Sequence, residues 1–372
     1  MRKLSKEDLE DILVGCTYLG CGGGGSLPKG LECVYRDLEA GLTFHLMAAE
    51  EMGDEEYAAA PYGLGSTAPA GSEQLQRYAH LPRITEEPTT VAFRLLEQHV
   101  GKKLVAVIAG EIGPGNTALS LSAAAHLVIA SLDADTVGRA TPEINQNSIL
   151  VAGIPIVPAA AVSRFGDEMI LQKVAHPSRQ EEILRSISMV SQGIGVADSP
   201  IPGRTAKRPG VLVLGSISHA GKLGQAYREA IAAHQDPIQA VVEAGQGYRL
   251  FHGRIADFPW KDEAGFLVGE VTLSGTGAYR GSRYRIWYKN EHIISWLDDQ
   301  VSVTPPDLIT VVVTETGQAI ANPNFERGQE VTVMGFPAPN LWRTPAGLEV
   351  FGPEHFGYHV PYVPIEDRQR QR

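Results

Sequence analysis

The chain has 372 residues, more than one hydrophobic core usually holds, because domains cluster near about 100–150 residues and single cores stop growing at about 250–300; two domains are expected. Hydrophobic residues make up 43% and charged residues 20%, with 40 Gly and 24 Pro, which fits a loop-rich globular protein and excludes disorder and coiled coil. Lys plus Arg number 32 against 43 Asp plus Glu, a formal net charge of −11, which argues against nucleic-acid or membrane partners and for a small molecule.

Cys16, Cys21 and Cys33 are odd in number and form no C-x-x-C pair, so neither a disulfide framework nor a thiolate zinc site is expected. Acidic residues follow Met1 before any apolar segment, and no apolar run reaches the roughly 18 residues of a membrane span. The expectation is a soluble, cytoplasmic protein, assembled as a homo-oligomer.

Ser5 and Asp8 resemble a capping box before Leu9, Ile12, Leu13 and Cys16, predicting a helix over 6–19 that stops at Gly20. Beyond Gly22–Gly25, Ser26 is placed to cap a second helix with Pro28 in its first turn, ending at Gly41. From 44 to 70 the pattern is irregular, and Pro61–Gly71 reads as a binding-type loop. Helical patterns at Glu73–Tyr78 and Thr89–Val100 lead to Lys103–Ala109, a strand buried on both faces, then to the loop Glu111–Asn116 and a helix from about Thr117. A second buried strand is predicted at Leu127–Leu132, ending in Asp133-Ala-Asp135. This is a parallel α/β unit, whose ligands bind outside the carboxyl ends of the strands, where Glu111–Asn116 and Asp133–Glu143 would share one edge.

Beyond about 165 the composition shifts. Helical stretches are predicted at Ser178–Ser191 and Ser218–Ala244, with a strand at Gly210–Leu214 between them. Strands then follow at Arg249–Asp257, Gly265–Ser274, Ser282–Lys289, Leu308–Thr314 and Glu330–Phe336. The expected fold is an α/β N-terminal domain with a largely parallel sheet over residues 1–165, followed by a β-rich α+β C-terminal domain over 166–372.

Cys21-Gly22-Gly23-Gly24-Gly25-Ser26 is the most unusual run. Its glycines allow close backbone approach to a ligand, and amides at the next helix start would favour an oxyanion and a lowered thiol pKa, making Cys21 a nucleophile. The competing reading is a helix-ending turn beside an inert buried cysteine. A helix rather than a strand precedes the run, and no Gly-Lys-Ser/Thr follows, so it is neither a dinucleotide fingerprint nor a phosphate loop. Asp133, Asp135 and Glu143, with Glu111, are candidates to hold a divalent metal or serve as general base; equally they are helix caps, with Arg139 pairing Glu143. Asn116 is either a turn residue or an amide reading a carbonyl and an N–H together. Ser218-His219-Ala-Gly-Lys222 starts a helix where Lys222 would clamp an anion or simply be solvated. Asn290-Glu291 is explained as readily by a turn as by a site.

In order along the chain, Cys21-Gly-Gly-Gly-Gly, Glu111-Ile-Gly-x-Gly-Asn116, Asp133-x-Asp135-x-x-Gly138-Arg139-Ala140-x-Pro142-Glu143-x-x-Gln146, Gly221-Lys222, Asn290-Glu291, Pro306-Asp307-Leu308 and Gly352-Pro-x-x-Phe356-Gly357-Tyr358 resemble the S-methyl-thiohydantoin desulfurase family, with its N- and C-terminal domains. The resemblance implies a role in hydantoin and thiohydantoin breakdown, often beside hydantoinase or oxoprolinase subunits. Two departures stand out: Asp135 is followed by Thr136-Val137 where the family commonly has Asp-Gly, and Pro61–Gly71 is poorer in Gly and Met.

Two functions are therefore expected. The first is a hydrolase-type enzyme on a cyclic ureide or its sulfur analogue. Water or Cys21 would attack the carbon between the ring nitrogens, and amides of Gly22, Gly23, Gly24 and Gly25 would stabilise the developing charge by about 3–4 kcal/mol per donor. Asp133, Asp135 or Glu143 would act as base or hold a metal, with Glu111, Asn116, Arg139 and Lys222 binding the ring. The second is a non-catalytic ligand-binding subunit of a hydantoinase complex.

Overall fold

A computed structural model of the chain describes residues 1–66 and 76–371. The Ser5 hydroxyl accepts from the Asp8 amide while Asp8 accepts from the Ser5 amide, the reciprocal cap that starts the helix Lys6–Leu19. Ser26 accepts from the Lys29 amide at the start of Leu27–Glu39, whose first turn carries Pro28. Between these helices the chain turns through positive φ at Cys21, Gly22, Gly24 and Gly25.

A nine-stranded sheet forms the first layer. Its centre is parallel: Phe44–Met47, Ala130–Asp135, Leu104–Ala109 and Tyr57–Leu64 lie side by side in that order. Antiparallel strands extend it, Arg2–Leu4 on one edge and Ile194–Pro202, Ala159–Ser163 and Glu168–Leu171 on the other, while Val213–Leu214 pairs with the end of Ala130–Asp135. The α/β expectation is met, and the sheet continues past residue 165, because Ile194–Pro202 is interleaved between Tyr57–Leu64 and Ala159–Ser163.

Several boundaries move for local reasons. The helix expected from Thr117 begins at Pro114, which suits a first helical position, and runs to Leu127, so the strand predicted at Leu127–Leu132 starts at Ala130. The helical stretch Ser218–Ala244 divides into Ser216–Ala232 and Pro237–Ala244, with Asp236 capping the second piece. Residues 61–64 of the expected Pro61–Gly71 loop complete a central strand. Positions 67–71 of that loop, and 73–75 of the helical pattern expected at Glu73–Tyr78, lie outside the described residues.

The second layer is an eight-stranded antiparallel sheet in which Gln300–Val303, Glu291–Leu297, Arg283–Lys289, Phe266–Gly275, Tyr248–Asp257, Glu330–Phe336 and Leu308–Val313 are successive neighbours. One large core packs the helix Lys6–Leu19 against Ser216–Ala232 and reaches Ile293, Leu308 and Phe336 of the second sheet. No helix among the described residues is long and apolar enough to cross a membrane.

Candidate active site

The two strands Leu104–Ala109 and Ala130–Asp135 deliver their following loops to a cavity of about 440 Å³, lined in part by Glu111, Asn116, Thr136, Thr141 and Glu143. This is the sheet edge expected from parallel topology. The first glycine run closes one wall. The Gly24 carbonyl accepts from the amides of Gly115 at 2.9 Å and Asn116 at 3.2 Å. A Cβ on Gly24 would stand 2.5 Å from the Gly113 Cα, and one on Gly25 would stand 2.7 Å from the Gly115 Cα. Backbone packs on backbone here, which only glycine permits.

The third wall comes from the other sheet. Asn290, at φ 58°, makes the tight turn between Arg283–Lys289 and Glu291–Leu297, and the turn presents Glu291 to the glycine run. The Gly24 amide donates to Glu291 Oε1 at 3.2 Å, and a Cβ on Gly23 would overlap the same carboxylate. Glu291 is 2% exposed, and its Oε2 has no hydrogen-bond partner. Glu111, also buried, accepts from Asn116 Nδ2 at 2.6 Å and from the Thr141 amide at 2.8 Å, so both its oxygens are occupied. Asn116 in turn accepts the Gly63 amide at 2.9 Å, tying this carboxylate to the strand Tyr57–Leu64.

Burial pushes both carboxyls up. For Glu111 the Asn116 and Thr141 hydrogen bonds oppose the shift, favouring its charged form. For Glu291 burial is reinforced by the Glu111 charge, and its pKa is driven well above the ordinary range. Two carboxyls facing one cavity disfavour each other's ionisation, and Glu291, whose Oε2 has no partner, is the one driven further towards its neutral form. Behind this wall Tyr62, which lines the cavity, donates to Asp198 at 2.7 Å; Asp198 also receives Gln180 and Ser199, and burial lifts its carboxyl to about 7.

The other expected site residues have different placements. Cys21 is fully buried in the main core and does not line the cavity; its Sγ lies 3.4 Å from the Leu19 carbonyl, and burial pushes the thiol pKa up. The lowered thiol pKa expected of a nucleophile is the opposite of what burial produces here. Gly22 and Gly23 also sit outside the cavity lining, whereas Gly24 and Gly25 belong to it. Asp133 accepts from the Ser218 amide and hydroxyl, holding the start of the helix Ser216–Ala232. Asp135 accepts from the amides of Val137 and Gly138, and burial raises its carboxyl to about 7. Neither lines the cavity.

Glu143 does line it. Burial alone would raise its carboxyl, yet His355 at 2.9 Å and Lys289 at 2.5 Å outweigh burial and hold it at about 2. It is a fixed anion rather than a base. Arg139, expected to orient the ring or pair Glu143, is wholly buried and donates to the carbonyls of Ala140, His292, Pro306 and Asp307. Lys222 is exposed on its helix and is not among the cavity residues. Among the described residues no three His, Cys, Asp or Glu side chains group as metal ligands. Of the carboxylates proposed for a divalent ion, Asp133 and Asp135 bind backbone amides, Glu143 is ion-paired and Glu111 is held by Asn116 and the Thr141 amide, so they do not form one donor set.

Sequence reasoning gave Glu291 no role beyond its place in the recurring pattern. The available signal was Asn290, a residue type that tolerates left-handed backbone, directly before an acidic residue that opens a strand rich in apolar side chains.

The fold and site define a class: a two-sheet protein whose cavity lies where a parallel α/β layer meets an antiparallel one. The chain belongs to the S-Me-THD-like family, whose N-terminal domain matches residues 7–173 and whose C-terminal domain matches residues 175–365. It is also similar in fold to a crystal structure of a protein from Chromobacterium violaceum, with 23% identity, coverage of 98% of this chain and 100% of that one, and a TM-score of 0.76. A search of curated proteins returned no match.

Proposed function

We propose that this chain is a hydrolase-type desulfurase acting on a five-membered cyclic ureide that bears a sulfur substituent, as in an S-methyl-thiohydantoin. The observation that carries the reading is the pair of buried carboxyls, Glu111 and Glu291, brought to one cavity from different sheets. Membership of the S-Me-THD-like family supports the substrate class.

The carbon bearing sulfur is joined to one ring nitrogen by a double bond. As water attacks it, Glu111 takes a proton from the water and Glu291 gives its proton to that nitrogen. The adduct carries a hydroxyl and the methylthio group on one carbon. On collapse the carbon–sulfur bond breaks, Glu111 returns its proton to the departing sulfur, and Glu291 accepts the hydroxyl proton as the carbonyl forms. The products are hydantoin and methanethiol, and both carboxyls regain their starting states. General acid–base catalysis of this kind contributes about 10²–10⁴-fold. The Gly25 amide donates to no protein acceptor among the described residues and lines the cavity, so it is available to the adduct's oxygen. Asn116 positions Glu111.

The test is incubation of the purified chain alone with S-methyl-thiohydantoin. Methanethiol and hydantoin are expected in equal amounts with no other subunit present. Absence of thiol release would overturn the reading and leave a ligand-binding role in a larger assembly.

A further inference from the structure

The charges around the cavity can be paired off one by one. Glu143 is held by Lys289 and His355, and Glu87 by Arg36 at 3.5 Å. Glu111 is held by Asn116 and the Thr141 amide, and Glu291 accepts from the Gly24 amide. Arg185 is committed to Glu181 at 2.8 Å and to the carbonyls of Gly65 and Pro142. One lining charge is left over. Arg164 makes no ion pair or side-chain hydrogen bond among the described residues, and its Nε is buried without a partner. Glu87 acts on it only at longer range, and the neighbouring Arg83 adds a second positive charge. An unpaired, partly desolvated guanidinium facing a cavity is costly unless an anion completes it.

Its place along the wall is also fixed. The Arg164 side chain lies beside Gly193, which directly precedes the strand Ile194–Pro202, where Gly195 faces Gly63. Gly63 is the residue that Asn116 holds.

We infer that Arg164 is a specificity-determining residue for an anionic substrate: the ring held near Glu111, Asn116 and Glu291 carries a carboxylate substituent that Arg164 binds. This rests on the cavity being the ring site proposed above. The substrate class becomes a thiohydantoin formed from an acidic amino acid rather than from an apolar one.

The experiment is titration calorimetry with two stable probes, a hydantoin carrying a carboxymethyl group on its ring carbon and the same molecule with the acid replaced by its amide. The native chain is expected to bind the acid about tenfold or more tightly than the amide, the range of a charge-assisted contact. In Arg164→Gln the ratio falls to about one, and Arg164→Lys keeps part of the preference. Equal binding of the two probes, failure to bind the acid, or a preference that survives in Arg164→Gln overturns the inference. Thiol release is measured in parallel. Turnover without charge preference refutes Arg164 and leaves the desulfurase reading intact, whereas charge-dependent binding without turnover does the reverse.

Discussion

The chemistry turns on which carboxyls keep a proton at neutral pH. Glu291 must be protonated to donate to the ring nitrogen, so kcat/KM should fall on the alkaline side as that proton is lost, and the limb should be absent from the residual activity of Glu291→Gln. The same burial has a stability consequence that runs against the usual direction. Asp135 and Asp198 titrate near 3.8 when unfolded and near about 7 when folded. Between those values the folded chain binds more protons than the unfolded one, so their contribution is full below about 4, falls as pH rises towards 7, and levels off beyond it. Glu143 has the opposite sign: its contribution is present above 4.5 and lost as pH falls towards about 2. A melting temperature higher at about pH 5 than at about pH 8 is expected, with part of the slope removed in Asp198→Asn. A rise over that interval would contradict the assignment.

Individual elements show why glycine matters where it does. Gly24→Ala places a methyl 2.5 Å from the Gly113 Cα at φ +69°, whereas Gly41→Ala, at φ +82°, meets nothing within 4 Å. The first should cost on the order of 3 kcal/mol or more and distort the cavity, the second about 1 kcal/mol from backbone strain alone. Urea midpoints would separate them, and equal costs would mean that the two glycine runs do not touch. The sequence signals were strongest where local chemistry decides structure: the Ser5–Asp8 cap, the Ser26 cap and the buried Leu104–Ala109 strand lie where their residues predict. They failed for Tyr57–Leu64 and Ile194–Pro202. The first contains Pro61, tolerated because pairing with Leu104–Ala109 covers only Tyr57–Ala59. The second contains Gly195, which admits the close approach of Pro88 and Thr89, and Ser199 at φ 56°, beside a register shift. Tertiary pairing, invisible to local patterning, makes both into strands. The candidate site divides the same way. Glu111, Asn116, Gly24 and Gly25 were legible from glycine spacing and strand ends, while Glu291 and Arg164 depend on contacts between segments far apart in the chain.

The whole molecule is joined across the seam that holds the cavity. The Cys21 carbonyl accepts the His292 amide at 2.7 Å, the Gly22 carbonyl accepts the Asn322 amide at 2.8 Å, and Trp342 Nε1 donates to the Val137 carbonyl at 2.6 Å. Arg139 is the central clasp, since of its four carbonyl partners His292 lies on a strand of the antiparallel layer and Pro306 and Asp307 lie in the turn leading to its strand Leu308–Val313. Arg139→Met would leave those buried carbonyls unsatisfied at a cost on the order of 3 kcal/mol, read as a lower urea midpoint with an unchanged slope. The glycine run that first suggested a nucleophile is thus mainly a joint: it brings Glu291 to Glu111 and buries Cys21 behind them. The most direct test of this account compares methanethiol release by the native chain, Glu291→Gln and Cys21→Ala under one set of conditions. The account predicts a loss of about 10²-fold or more in Glu291→Gln and a rate within about threefold of native in Cys21→Ala, where no reacting group is removed. A Cys21→Ala chain that folds but releases no thiol, or a Glu291→Gln chain that keeps its rate, would contradict it.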